Sequence, residues 1–140
     1  MKKYHSLTLA LLLTIAPNIN AEEKRQLVEF PAMMQQHMMV NMRDHLTTLN
    51  QILIHMSNDE LDKAGDLAES NLGMSSLDKH GASHMAKMMP EGMRQIGTSM
   101  HKSASRFALK AQEGELAPAY QALTEITTAC VNCHANYRIR

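Results

Sequence analysis

Apolar residues recur at intervals of three and four positions in four stretches of the chain, which is the spacing of amphipathic helices. The first predicted helix runs from Ala32 to Ser57, and Pro31 suits its first turn because the ring fixes a favourable backbone angle. Its predicted buried stripe is Met38, Met42, Leu46, Leu49, Leu53 and Met56. The period-two alternation typical of strands is absent from the sequence.

The second predicted helix follows directly. Asn58 is expected to cap its start, with Asp59 and Glu60 in the first turn, where acidic groups favour the helix dipole. Gly73 ends it. Its apolar face is Leu61, Ala64, Ala68 and Leu72. Gly65 lies on the same face and would let another helix come close.

Pro90 opens the third predicted helix and Gly114 ends it. Its buried stripe is Met93, Ile96, Gly97, Met100, Ala104, Phe107, Ala108 and Ala111. The connection from Gly73 to Pro90 is long for a small domain, and a short helix is expected around Ala82 to Met88.

The fourth predicted helix begins near Leu116 to Pro118. Its expected buried face is Leu116, Tyr120, Leu123, Thr127, Cys130, His134 and Tyr137. Four helices without strands predict an all-α fold.

The first 21 residues have the pattern of a secretory signal. Lys2 and Lys3 precede a short apolar run, Leu7 to Ile15, and Ala21 offers a small residue for cleavage. We therefore expect a cleaved signal peptide, residues 1–21, and one exported domain, residues 22–140, in the periplasm. An uncleaved anchor is the alternative. No later apolar run is long enough to span a membrane.

Charge excludes one class of partner. The whole chain has a formal charge of 0, and loss of Lys2 and Lys3 makes it −2. A nucleic-acid-binding protein would be expected to carry a strongly basic face.

The chemistry of the chain is concentrated in Cys130-Val131-Asn132-Cys133-His134, a Cys-x-x-Cys-His sequence. This is the signature of covalent c-type haem attachment, in which two thiols bond to the haem and the histidine ligates the iron. On a helix, Cys130, Cys133 and His134 share one face. The alternatives are a redox dithiol, which would be expected with strands in a βαβ pattern, part of a zinc site, which would need further ligands at fixed spacing, and a disulfide, in which His134 has no role.

With this motif near its C-terminus and four predicted helices before it, the chain resembles the class II cytochromes c, the cytochrome c′ group. Residues 130–138, including the aromatic residue and arginine after the motif, are similar to that group's tail, as is Met89-Pro90-Glu91-Gly92 before the third helix. The resemblance implies an antiparallel four-helix bundle, one covalently bound haem c, His134 as proximal iron ligand, and frequent homodimers.

The same resemblance raises the question of the distal side of the iron. Low-spin members fill it with a methionine from the first helix, and Met42 is the candidate here, with Met38 the second choice. His45 beside the same stripe would give a bis-histidine site. Either Arg138 or Arg43 could pair with a haem propionate. Without ligation, Met42 would simply pack in the core.

A haem ligated by His134 and Met42 predicts a one-electron carrier rather than an enzyme. Its redox partner proteins are not identified by the sequence. The first alternative is a five-coordinate haem protein that binds or senses NO or CO. The second is a haem-free copper-binding protein, because thioether and imidazole groups suit copper. His80, His84 and Met88 recur at four-residue intervals. Further donors are His37, Met38, Met39, Met85, Met89 and His101.

Overall fold

The computed structural model describes residues 23–140, which are mostly helical. In this part of the chain the α-helices are α1 Ala32–Ser57, α2 Leu61–Leu72, α3 Ala82–Ala86, α4 Glu91–Gln112 and α5 Leu116–Asn136. A 3-10 turn, Met74–Ser76, follows α2, and two short strands, β1 Gln26–Leu27 and β2 Tyr137–Arg138, flank the helices. The all-α prediction is confirmed at this level. The predicted signal peptide lies outside the described residues.

Most helix ends fall where proline and glycine predicted them. Pro31 precedes α1 and Pro90 precedes α4, both with extended backbone that then turns into the helix. Gly114 follows α4 with a φ of +79°, which glycine adopts without steric cost.

The predicted start of α2 was wrong. Asn58 lies at the end of α1, and α2 begins at Leu61 after Glu60. The reversal between the helices needs a residue with positive φ. Asp59 takes that position at +60°, a conformation that aspartate tolerates better than most residues.

The main core forms where α4 packs against both α2 and α5, and α2 also packs against α1. Phe107 is completely buried there, which stabilises the fold by about 1.5–3 kcal/mol relative to an exposed side chain. The close approach predicted at Gly65 is confirmed: a Cβ atom built there would lie 2.9 Å from the carbonyl oxygen of Ala108. Other residues of the main core include Ile52, Met56, Leu72, Met100, Leu123 and Ile126.

The predicted face of α1 was partly wrong. Leu46 and Leu53 are 69% and 45% exposed, whereas Asn41 and Thr48 are buried. The Asn41 amide donates a hydrogen bond to the carbonyl oxygen of His80 at 3.1 Å, so a polar side chain is satisfied inside the protein. The side of α1 that carries Asn41 and Thr48 therefore faces the interior, and the side that carries Leu46 and Leu53 faces outward.

The predicted buried face of α5 was also partly wrong, because a neighbouring face of the helix is buried instead. Leu116, Tyr120, Thr127 and His134 are exposed. The buried residues are Ala119, Ala122, Leu123, Ile126 and Ala129. Small alanine side chains allow α5 to lie close to α4, and the bulkier residues of the neighbouring stripe remain outside.

A second apolar cluster lies beside the main core, and we call it the methionine cluster. Its buried members are Val28, Met38, Met85 and Met93. Packed against them are Phe30, Met34, Met42, Met89, Cys133, Tyr137 and Ile139. Methionine is unbranched and fills irregular gaps of this kind. The cluster joins the two ends of the described chain to the starts of α1 and α4 and to α3.

The strands β1 and β2 pair in parallel, with Gln26 opposite Tyr137 and Leu27 opposite Arg138. The pairing extends to Val28, whose N–H donates to the carbonyl oxygen of Arg138 at 2.8 Å. The Gln35 side chain of α1 also donates to the carbonyl of Ile139. These bonds fix the residues that follow α5 against the segment that precedes α1.

None of the helices between residues 23 and 140 combines the length and the apolar character needed to cross a membrane.

Candidate functional site

The two cysteines lie in the last turns of α5, and both are free and half-buried. Cys130 packs against the main core, whereas Cys133 packs against the methionine cluster. Burial raises the pKa of both thiols above the ordinary value of a cysteine. They therefore remain protonated at neutral pH, unlike the low-pKa thiolates of reactive dithiols.

His134 follows Cys133 directly but is exposed on the last turn of α5. The expectation that it lies on the buried stripe was therefore wrong for the chain as described. An exposed imidazole next to two half-buried thiols is accessible to a group placed over this end of the helix.

The candidate distal residues lie on α1, in the same apolar cluster against which Cys133 of α5 packs. Met38 is buried and Met42 is half-buried, and both belong to the methionine cluster that includes Cys133. Leu46, one turn beyond Met42, is mostly exposed. Met42 thus lies between the methionine cluster and an exposed apolar flank of α1.

Arg138 and Arg43 are the two arginines predicted to pair with a haem propionate, and their surroundings differ. The Nε atom of Arg138 is buried and has no hydrogen-bond partner among residues 23–140. An unpaired buried donor costs about 1–3 kcal/mol, so an acceptor that reached this guanidinium would be strongly favoured. Arg43 is exposed on α1 and shows no comparable arrangement.

The start of α4 makes room for the tail of α5. A Cβ atom built at Gly92 would lie 2.5 Å from the Tyr137 hydroxyl oxygen. Glycine at this position therefore allows Tyr137 to pack over α4 and against the same cluster as Cys133. This contact gives a structural reason for glycine at position 92.

A cluster of histidines was not predicted as a unit. His45 of α1, His80 of the connection and His101 of α4 bring their rings together, with centroids 4.7 Å apart for His45 and His80, 6.2 Å for His45 and His101, and 5.7 Å for His80 and His101. His84, at four-residue spacing from His80, is instead exposed. His80 therefore pairs with residues distant in sequence, which spacing cannot reveal.

Burial lowers the pKa of all three rings in this histidine cluster. For His45 the value falls to about 3, with burial as the main cause and His80 and His101 adding to it. For His80 and His101 burial is again the first cause. The rings are therefore neutral at pH 7.

Comparison with protein-family models, with curated proteins and with solved structures found no match to this chain.

Proposed function

We propose that this protein is an exported monohaem c-type cytochrome that transfers single electrons and belongs to the class II group. In this proposal Cys130 and Cys133 hold the haem covalently, His134 is the proximal iron ligand, and Met42 is the distal ligand. The supporting observation is that a Cys-x-x-Cys-His sequence ends a helix whose Cys133 packs in one apolar cluster with Met42. The antiparallel four-helix arrangement is part of the same proposal.

The donor set fits a haem. A macrocycle bonded to the two thiols needs apolar surface for its body and cationic groups for its propionates. The methionine cluster and the exposed flank at Leu46 offer apolar surface, and the unpaired Nε of Arg138 offers a donor that matches a carboxylate. Haem iron, when bound, supplies the change between two oxidation states.

The protein's own residues would set the properties of that centre. A thioether ligand from Met42 raises the reduction potential compared with a second imidazole. The apolar members of the methionine cluster would limit the access of water to the site, which further favours the less charged, reduced state. His134, being exposed, is free to turn towards the iron without losing a hydrogen bond described for residues 23–140.

The thiol chemistry weighs against the haem-free alternative of a redox dithiol. A reactive pair needs a thiolate, which is favoured by nearby positive charge or a helix N-terminus. Here both cysteines lie at the C-terminal end of α5 and burial raises their pKa values. Both conditions favour the protonated thiol.

The absorption spectrum of the full chain, matured in a host that attaches haem c, tests the proposal. We expect a Soret band that stays with the polypeptide after acid-acetone extraction, and a low-spin spectrum with a methionine-to-iron charge-transfer band. A colourless protein would overturn the haem assignment. A high-spin spectrum that changes with CO while Met42 is intact would favour the gas-binding alternative.

Ligation by Met42 is tested by Met42→Leu, which keeps the side-chain volume and removes the sulfur. We expect a change to high-spin iron that binds CO. Met89→Leu is the matched control, because Met89 packs in the same cluster. Met38→Leu tests the second choice. If Met42→Leu leaves the spectrum unchanged, Met42 is not the ligand.

A further inference from the structure

The histidine cluster of His45, His80 and His101 lies outside the proposed haem residues and draws on three separate parts of the chain. His80 and His101 are only 7% and 8% exposed, although histidine is usually found nearer the surface. Two buried imidazoles in contact with the half-buried ring of His45 are costly unless their polar atoms are satisfied. The ring nitrogens differ in the partners they have.

The ring of His101 is fixed by the backbone. Its Nδ1 lies 2.7 Å from the carbonyl oxygen of Leu72, which can only accept a hydrogen bond, so Nδ1 carries the proton. The Nε2 atom of His101 therefore keeps its lone pair. A backbone carbonyl that orients a histidine in this way is the usual outer partner of a metal-binding imidazole.

Ser76 favours the same protonation state in His80, with the proton on Nδ1. Its hydroxyl donates to the carbonyl oxygen of Gly73 at 2.7 Å, which uses its single proton. The Ser76 oxygen therefore meets Nδ1 of His80, 3.4 Å away, as an acceptor in a weak contact. This favours a proton on Nδ1 and leaves the lone pair of His80 on Nε2.

The third ring, that of His45, has a buried nitrogen without a hydrogen-bond partner. Nε2 of His45 is buried and makes no hydrogen bond with any residue in the range 23–140. The backbone around the cluster is held firmly, because His37 and Asn41 of α1 both donate to the carbonyl oxygen of His80, at 2.9 and 3.1 Å. The loop that carries His80 is thereby fixed on α1 beside His45.

We propose that His45, His80 and His101 bind a divalent transition metal, Zn²⁺ or Cu²⁺, through their Nε2 atoms. Neutral imidazole is a preferred ligand of both ions. Three rings bound to one tetrahedral ion at about 2.0–2.1 Å have centroids about 5 Å apart, close to the spacings in this cluster. The lowered pKa values keep the rings neutral and able to bind without displacing a proton.

Binding requires the rings to change their orientation. Within residues 23–140, no group of three His, Cys, Asp or Glu side chains already has the arrangement of a metal site. The rings must therefore turn about their side-chain bonds while the Leu72 and Ser76 contacts hold Nδ1 of His101 and His80. Two charged side chains act on His80 in opposite directions: Lys79 disfavours positive charge there and the carboxylate of Asp44 favours it, with Lys79 the stronger of the two.

The test is calorimetric titration of the chelator-treated full-length protein with Zn²⁺ and, separately, with Cu²⁺. We expect one ion per chain, with nitrogen hyperfine structure from imidazoles in the electron paramagnetic resonance spectrum of the Cu²⁺ form. These readouts do not depend on the haem spectrum, so the outcome is separate from that of the proposed function. If the wild-type chain binds neither ion at one equivalent, the proposal is wrong.

His45→Leu is the informative variant, because it removes a ring that has an unpaired nitrogen and breaks no hydrogen bond described here. We expect at least about 100-fold weaker binding, the upper end of the cost of losing even an outer partner. His84→Leu is the matched control on an exposed histidine and should bind as the wild type does. Equal loss in both variants, or in neither, would contradict the site, and thermal unfolding without metal verifies that each variant is folded.

Discussion

The contact between α2 and α4 can be tested with one methyl group. In Gly65→Ala the new carbon would lie 2.9 Å from the carbonyl oxygen of Ala108 and 3.3 Å from Cβ of Ala111. The nearest atom belongs to the backbone, so the two helices must separate to relieve the contact. Excess volume in a packed core costs about 1–3 kcal/mol.

A second glycine in a helix provides the matched control. Gly97 lies inside α4, and a Cβ built there meets no described atom within 4 Å outside the helix's own backbone. Both Gly→Ala changes gain about 1 kcal/mol of helix propensity. In the difference between the two variants this gain cancels, and the cost of the close contact remains.

We therefore expect Gly97→Ala to stabilise the protein by up to about 1 kcal/mol and Gly65→Ala to destabilise it by up to about 2 kcal/mol, the cost of the contact less the gain in propensity. Urea unfolding followed by far-UV circular dichroism measures both, and the slope with denaturant should be unchanged. If Gly65→Ala is as stable as Gly97→Ala, the helices are not packed as closely as described.

Two further predictions follow from the sites. Stability should fall as the pH drops below about 6.5, by up to about 1.4 kcal/mol per pH unit for each histidine of the cluster. The stability is unaffected above the pKa of the unfolded histidines and is lost as the pH falls from there to the lowered pKa of each folded ring, because only the unfolded state takes up protons in that window; for His45 the window extends down to about pH 3. Denaturant titrations from pH 7.5 to 5 measure how the free energy of unfolding changes with pH. This change should be smaller in His45→Leu and unaltered in the exposed variant His84→Leu. An equal change with pH in both variants would refute the prediction. Cys133→Ala should leave one thioether bond and a low yield of haem protein by mass spectrometry, whereas complete attachment would contradict the reading of the motif.

Helix positions could be predicted because their signals are local. Pro31, Pro90 and Gly114 mark boundaries through their own backbone preferences, and the structure places helix ends beside them. Which side of a helix is buried depends on distant partners. Asn41 is inside because the carbonyl of His80, far along the chain, accepts its hydrogen bond, and Leu46 is consequently turned outward.

In the candidate site, too, the features that are contiguous in sequence could be predicted and those built from distant segments could not. The Cys-x-x-Cys-His motif is contiguous and could be recognised directly, and the choice of Met42 remains a prediction. The histidine cluster could not be found from spacing, since His45, His80 and His101 come from α1, the connection and α4. The pairing of β1 with β2 was also missed, because two-residue strands are too short to show alternation.

The parallel pair β1–β2 is the contact with the largest separation in sequence among the paired elements. One strand precedes every described helix and the other follows them, so the pair joins residues far apart in sequence and is expected to form late in folding. The neighbours of Cys133 in the tail, Tyr137 and Ile139, become fixed only at that step. The cysteine end of α5 therefore gains the packing of Tyr137 and Ile139 only when the segment before α1 and the segment after α5 have come together.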